Sequence, residues 1–138
     1  MQRDDGMVAD ARDWMELCAR LDAVPFCPPR VRDIARSEGR AEDTVRDLMS
    51  RLEGAGYVYN VAHDHYFSAP AVAQLARHVD ALCARDGAAR AAMMRDEIGG
   101  GRKVAIHILE FFDRIGYTRR INDDHVLLDP ESIWKWVR

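Results

Sequence analysis

The sequence lacks any hydrophobic run long enough to cross a membrane. A transmembrane helix needs roughly 18 consecutive apolar residues, and every apolar stretch here is much shorter. Residues 1–6 also lack the apolar segment of a secretory signal peptide. We therefore expect a cytoplasmic protein with no membrane partner.

Cysteine is scarce, and the three cysteines form no recognisable framework. Cys18, Cys27 and Cys83 are odd in number and lack the paired spacing of zinc ligands. Cytoplasmic proteins keep such thiols reduced. The sequence therefore predicts free thiols, with neither a disulfide framework nor a cysteine-based metal centre.

The chain also lacks a large excess of positive charge. Its 138 residues carry 20 basic and 23 acidic groups, for a net charge of −3. This balance excludes a protein that coats nucleic acid through charge alone. The halves nevertheless differ, because residues 1–70 carry 9 basic and 13 acidic groups (−4), whereas residues 71–138 carry 11 and 10 (+1). A local basic face in the second half remains compatible with this composition.

No pattern typical of a catalytic site is present. The run Gly99-Gly100-Gly101-Arg102-Lys103 is superficially similar to a phosphate-binding loop, but it lacks the spacing G-x-x-x-x-G-K-[ST]. The five histidines show no metal-ligand spacing. We therefore expect that this chain is not an enzyme and holds no cofactor or metal.

The sequence contains an internal repeat at a distance of 60 residues. Leu48, Met49, Leu52, Gly56 and Tyr57 fall on Ile108, Leu109, Phe112, Gly116 and Tyr117, and Asp64-His65 falls on Asp124-His125. Such self-similarity indicates two copies of one supersecondary unit. An Arg-Asp pair precedes each block, at Arg32-Asp33 and Arg95-Asp96. Their distance of 63 predicts about three extra residues between the helices of the first copy.

Each copy reads as three helices followed by a β-hairpin. The helical periods predict helices at residues 9–21, 31–36 and 41–52 in the first copy, and 70–85, 88–98 and 102–115 in the second. Gly54 and Gly56 would end the third helix. Residues 57–61 and 65–67, and later 117–121 and 125–128, predict hairpins around His63-Asp64 and Asn122–Asp124.

This order is that of a winged-helix domain, in which the second and third helices form a helix-turn-helix and the hairpin is the wing. We expect a mainly α fold of two tandem winged-helix domains, at residues 8–68 and 69–138. For the residues that follow the second hairpin, Asp129-Pro130 predicts a helix start, with Trp134 and Trp136 either packing on the second domain or stacking on bases.

Basic side chains collect in the second unit. Arg102 and Lys103 begin its third helix, Arg119 and Arg120 lie in its wing, and Arg95 lies in the preceding helix. In a helix-turn-helix the start of the third helix approaches nucleic acid, where arginine and lysine can bind phosphates. Glu42 and Asp43 hold the matching places in the first unit. The second unit would therefore bind while the first spaces or supports it; alternatively, these cations are only solvated or paired with carboxylates.

The wing histidines admit two readings. His65 and His125 hold equivalent places in the repeats. A structural hydrogen bond within the wing explains both, whereas His125 could instead contact nucleic acid.

The residues of the second unit resemble a known family. Gly101-Arg102-Lys103-Val104-Ala105-Ile106 and the run from Ile108 to Arg120 are similar to the last winged helix of the bacterial selenocysteine-specific elongation factors, the SelB family, with a pattern near G-R-K-x-A-I-x-I-L-E-[FY]-F-D-R-x-G-[FY]-T-R-R. Phe26, Pro28-Pro29, Val31 and Asp33-Ile34-Ala35 resemble the preceding winged helix of that family. Two places depart from the pattern, namely the triple glycine and the wing turn Asn122–Asp124.

The resemblance implies the C-terminal part of a factor whose GTPase domain, with its GTP and Mg, is absent from this chain. It implies binding of the selenocysteine insertion (SECIS) hairpin in selenoprotein mRNA, so that selenocysteine is incorporated at UGA. Ribosome and selenocysteinyl-tRNA would be partners of the full-length protein, and this part would be a monomer. The RNA-contact role passes by motif position to Arg102, Lys103, Arg119 and Arg120, with His107 on the same helix and Arg95 as further candidates.

Two other functions remain open on the residues alone. A dimeric winged-helix transcription regulator would use the same third helix in the DNA major groove. A protein-interaction module of the same fold would leave the basic face solvated and show no salt-dependent affinity for nucleic acid.

Overall fold

The computed structural model describes residues 2–128, with side chains from residue 11 onward. The chain divides into two compact units, with the boundary between Ser68 and Ala69. Each described unit contains three helices and one two-stranded antiparallel sheet. The predicted mainly α, tandem winged-helix fold is therefore confirmed. Trp134 and Trp136 lie outside the described residues.

The first unit comprises α1 (Gln2–Ala23), α2 (Val31–Glu38), α3 (Glu42–Gly54), β1 (Val58–Ala62) and β2 (His65–Ser68). The apolar stripes of its helices converge on one core, because residues three and four apart share a helix face. That core includes Leu17, Leu21, Val31, Ile34, Val45, Leu48, Met49, Leu52 and Val58. The wing strands pair with Tyr59 opposite Phe67.

The second unit repeats this order with α4 (Ala69–Asp86), α5 (Ala91–Ile98), α6 (Arg102–Arg114), β3 (Thr118–Ile121) and β4 (Asp124–Leu127). Ile108, Leu109 and Phe112 of α6 are fully buried. The Tyr117 hydroxyl donates a hydrogen bond to Asp80 of α4. Burial and this carboxylate raise the pKa of Tyr117 above its ordinary value, so the hydroxyl keeps its proton and fixes α4 to the start of the wing.

The two units keep one register of 60 residues throughout their helix-turn-helix. The bounds of α2 and α5 differ by 60, as do those of α3 and α6. Gly39 and Gly99 occupy the same left-handed turn, with φ of 64° and 65°. The expectation of three extra residues in the first copy is therefore wrong, and the two Arg-Asp pairs are not equivalent.

The start of α5 also differs from the sequence prediction. The helix begins at Ala91 rather than residue 88, because Ala89 forms an antiparallel bridge with His125 through two hydrogen bonds of 2.9 Å. The residue matching Ala89 in the first unit is Pro29. Proline has no backbone N–H to donate, so this two-bond bridge cannot form there.

α3 ends at Gly54, and Gly56 takes up the left-handed conformation after it, at φ 85°, as predicted. One predicted turn needs correction. The second wing turns at Asn122-Asp123 alone, because Asp124 already pairs with Ile121.

Within the described residues, no helix combines the length and apolar character that a bilayer span requires.

Candidate nucleic-acid interface

The start of α6 offers backbone donors and cationic side chains together. Gly101 holds the extended N-cap position, and neither a side-chain cap nor an acidic residue of the first turn shields that end. The first N–H groups of a helix have no partner within it, and they lie at the positive end of its dipole. Arg102 and Lys103 are exposed there. This end of α6 is therefore suited to bind an anion.

A shallow cleft of about 260 Å³ opens beside this helix end. It lies among the start of α5, one face of α6 and the second wing. Its lining residues are Arg90, Ala91, Ala92, Arg102, Ile106, Glu110, Arg120, Asp123 and His125. Three of these residues are arginines, and each comes from a different element.

The wing divides the predicted pair Arg119-Arg120 between its two faces. Successive side chains of a strand point to opposite faces. Arg120 pairs across the hairpin with His125 and lines the cleft, whereas Arg119 pairs with Val126 and does not line it. The structure thus brings Arg102 and Arg120 together in one cleft and places Arg119 on the other face of the wing.

Arg90 lines the same cleft and was missed by the sequence analysis. It holds the N-cap position of α5 in an extended conformation, and its Nε donates to Asp124 Oδ1 at 2.5 Å. This hydrogen bond holds the pKa of Asp124 below its usual value. The predicted helix at residues 88–98 concealed this role, because it placed Arg90 within a regular turn.

The remaining two candidates lie elsewhere. Arg95 lies 3.3 Å from Asp96 of its own helix and does not line the cleft. His107 is half-buried rather than fully exposed, and its Nδ1 is buried with no hydrogen-bond partner among the described residues. His107 is thus only partly exposed on α6, and it does not line the cleft.

The wing histidines have structural partners. His125 is 6% exposed, with Nδ1 2.9 Å from Asp113 Oδ2. The same carboxylate accepts a hydrogen bond of 2.6 Å from Thr118 Oγ1. His65 is buried, with Nε2 2.6 Å from the carbonyl oxygen of Pro28. The structure therefore favours the structural reading of both histidines.

The matching surface of the first unit is closed by ion pairs. Glu42 and Asp43 begin α3. Arg46 donates two hydrogen bonds to Asp64, of 2.9 and 2.8 Å, and a third of 2.6 Å to Asp43. The Arg46 guanidinium lowers the pKa of Asp64. Arg46, the cation of this recognition helix that reaches the wing, is thus already neutralised by its own unit.

The described residues contain no group of three or more histidine, cysteine, aspartate or glutamate side chains placed to hold a metal ion.

Comparisons with known proteins identify relatives of the chain. Residues 81–127 match the family model described as "Elongation factor SelB, winged helix". The chain is 38% identical over 99 residues to the selenocysteine-specific elongation factor of Escherichia coli (strain K12) and 30% identical to that of Haemophilus influenzae. Each alignment covers 72% of this chain but 16% of the relative, so the chain spans a small part of those proteins.

A solved structure matches most of the chain. It is described as the mRNA-binding domain of elongation factor SelB from E. coli in complex with SECIS RNA. It is 33% identical, and it superimposes with a TM-score of 0.75 over 84% of this chain and 97% of the matched chain.

Proposed function

The chain belongs to the SelB family of selenocysteine-specific elongation factors, and from this premise we propose that it is the mRNA-binding part of such a factor. Its ligand is the SECIS hairpin of a selenoprotein mRNA, as the E. coli domain of the same fold is bound to SECIS RNA. One observation carries the proposal for this chain. Arg102 and Lys103 are exposed at the uncapped start of α6 and have no ion pair among the described residues.

The contrast between the units supports a division of roles. At the start of α3 the carboxylates Glu42 and Asp43 replace Arg102 and Lys103, and they would repel RNA phosphates. The second unit therefore binds the hairpin through Arg102, Lys103 and Arg120, whereas the first unit spaces or supports it. Arg119, His107 and Arg95 remain candidates for contacts outside the cleft.

RNA geometry explains how so small a basic surface is enough to bind an RNA hairpin. The major groove of an A-form duplex is too deep and narrow for a recognition helix, so sequence is read mainly from unpaired bases. Phosphate contacts fix the position of the protein and base contacts specify the sequence. The start of α6 and its cleft would hold the backbone at the hairpin loop.

The role of the whole protein follows as part of the proposal. A GTPase domain outside this chain would use GTP and Mg, deliver selenocysteinyl-tRNA to the ribosome in the cytoplasm, and act at a UGA codon. This part itself performs no catalysis. It would bind one hairpin as a monomer and bring the factor to the correct mRNA.

Fluorescence anisotropy with a labelled SECIS hairpin tests the proposal. The authentic hairpin, a hairpin with a scrambled loop and a DNA duplex would be titrated at several salt concentrations. We expect tight binding of the authentic loop and weak binding of the other two. Arg102→Ala should weaken binding of the authentic hairpin, whereas the control Arg36→Ala, at an exposed position in α2 of the first unit, should not.

Each other outcome would overturn the proposal in a specific way. Preference for duplex DNA, with a palindromic footprint, would indicate a transcription regulator. The absence of salt-dependent binding to all three ligands would indicate a protein-interaction module.

A further inference from the structure

Three guanidinium groups converge on the cleft of the second unit from separate elements. Arg90 precedes α5, Arg102 begins α6, and Arg120 lies on β3. We infer that Arg90, Arg102 and Arg120 form a site for one backbone phosphate of the RNA hairpin. This inference rests on the proposed function and adds Arg90 to the residues that contact RNA.

Each of the three arginines keeps donors available for a ligand. Arg90 uses Nε for Asp124, which leaves both of its terminal nitrogens unpaired among the described residues. Arg120 donates from Nε to the carbonyl oxygen of Asn122 at 2.8 Å, and its Nη2 lies 4.0 Å from Asp123. Arg102 has no side-chain partner there. The side chains of Arg90 and Arg120 are 54% and 55% exposed, so solvent reaches both.

The hydrogen bonds to Asp124 and Asn122 hold two of the guanidinium groups in place before RNA arrives. A guanidinium presents its donors as a planar fork that matches the oxygens of a phosphate. A fork that is already held loses less side-chain entropy when it binds a ligand. Arg90 and Arg120 are therefore prepared for a phosphate in the cleft that Arg102 also lines.

The carboxylate of Glu110 limits where a phosphate can sit. Arg102, Ile106 and Glu110 follow one another at intervals of four residues along one face of α6. Glu110 thus lies two helical turns, about 12 Å, from Arg102. Its negative charge disfavours a phosphate at that end, so the phosphate binds at the arginine end.

The first unit lacks the same set of residues. The positions that match Arg90, Arg102 and Arg120 are Arg30, Glu42 and Asn60. One arginine beside a carboxylate and an amide cannot hold a phosphate. The repeat therefore provides a matched control, Arg30→Ala, for the test of Arg90.

The test compares variants of the full chain by fluorescence anisotropy with the authentic hairpin across a salt series. We expect Arg90→Ala to weaken binding by about tenfold or more and to reduce the salt slope by about one. Arg90→Lys should recover part of the affinity, since it keeps the charge. Arg30→Ala should leave both affinity and slope unchanged.

The variant Asp124→Asn separates phosphate binding from support of the wing. It removes the ion pair with Arg90 but keeps the arginine charge. A phosphate contact predicts at most a small loss of affinity, from the weaker hold on the Arg90 guanidinium, with an unchanged salt slope. If Arg90 acted only by holding the wing, Asp124→Asn would weaken binding as much as Arg90→Ala does, and the inference would fail.

Hairpins that each carry one neutral methylphosphonate linkage locate the phosphate. The adjacent 2′-hydroxyl is methylated to prevent cleavage, and the control hairpin carries the same methyl group with a normal phosphate. We expect one linkage whose neutralisation weakens binding to the wild type but not to Arg90→Ala.

If every linkage affects both proteins equally, the phosphate site is refuted while hairpin binding stands. If the wild type does not bind the authentic hairpin at all, the proposed function fails first. Inorganic phosphate at constant ionic strength is added as a competitor. Displacement of the hairpin in the wild type but not in Arg90→Ala at low phosphate concentration would instead indicate a site for the free ion.

Discussion

Arginines at different positions pair with the wing aspartates of the two units. In the first unit, Arg46 on α3 binds the wing aspartate Asp64 as well as Asp43. In the second unit, Arg90 outside α6 binds the wing aspartate Asp124, and Ile106 takes the place of Arg46. The wing aspartate is therefore neutralised in both units, but in the second unit Arg102 and Lys103 at the start of the recognition helix have no ion pair among the described residues.

At the residue scale, Lys103→Ala tests the start of α6. Lys103 is exposed and has no partner among the described residues, so its removal should not disturb folding. We expect hairpin affinity to fall by about tenfold and the salt slope to fall by about one. Anisotropy measures the binding, and thermal melting by circular dichroism checks the fold. A large fall in melting temperature would contradict the exposed placement.

The Arg46–Asp64 pair predicts a pH dependence of stability. Arg46 lowers the pKa of Asp64 in the folded protein, below the unfolded value of about 3.9. The pair therefore stabilises the first unit fully above about pH 4. This stabilisation is lost as the pH falls through the folded pKa, because protonation removes the charge that Arg46 binds.

Urea unfolding of wild type and Asp64→Asn at a series of pH values measures this effect. We expect the wild type to be more stable than the variant near neutral pH, and the difference to shrink as the pH falls below about 4. Asp123→Asn is the control, because Asp123 is 95% exposed with Arg120 4.0 Å away. A constant difference between wild type and Asp64→Asn at all pH values would refute the role of this pair.

At the scale of elements, α6 positions the interface because its other face is anchored in the core. Phe112 is fully buried, and its ring centroid lies 5.4 Å from those of Phe111 and Tyr117. We expect Phe112→Ala to lower the free energy of unfolding by about 3–5 kcal/mol, through lost burial and a cavity. Denaturant unfolding measures this change.

Ile121→Ala provides the comparison from the same unit, because Ile121 is 49% exposed on the wing. Removal of an exposed side chain costs about 0.5 kcal/mol or less. Equal losses from Phe112→Ala and Ile121→Ala would show that the buried face of α6 is assigned incorrectly.

The sequence predicted the helices well, because periodic apolar residues such as Ile108 and Phe112 determine which face is buried. It failed at α5, since the Ala89–His125 bridge is a contact between segments distant in sequence. That failure also concealed Arg90. Strand alternation alone predicts that Arg119 and Arg120 point to opposite faces of the wing. The sequence prediction instead grouped both residues in one basic surface.

At the scale of the whole molecule, a net charge of −3 coexists with a small surface proposed to bind RNA. If Arg90, Arg102 and Arg120 share one phosphate and Lys103 binds a second, the salt slope corresponds to about two contacts. Between 50 and 200 mM salt the affinity should then fall by about tenfold. Anisotropy over that range checks this value. A fall of several thousand-fold would require many more contacts than this cleft and helix end provide.

The 60-residue register of the two units has an evolutionary consequence. The sequences of two duplicated modules can diverge when only one of them is needed for the original function. Here the two copies differ in the loop before the helix-turn-helix, where Ala89 in place of Pro29 allows an extra β-bridge and Arg90 reaches the wing aspartate. Once a loop residue forms the ion pair with that aspartate, mutations on the recognition helix no longer destabilise the wing. Such a change leaves a duplicated copy free to acquire a new ligand without losing its fold.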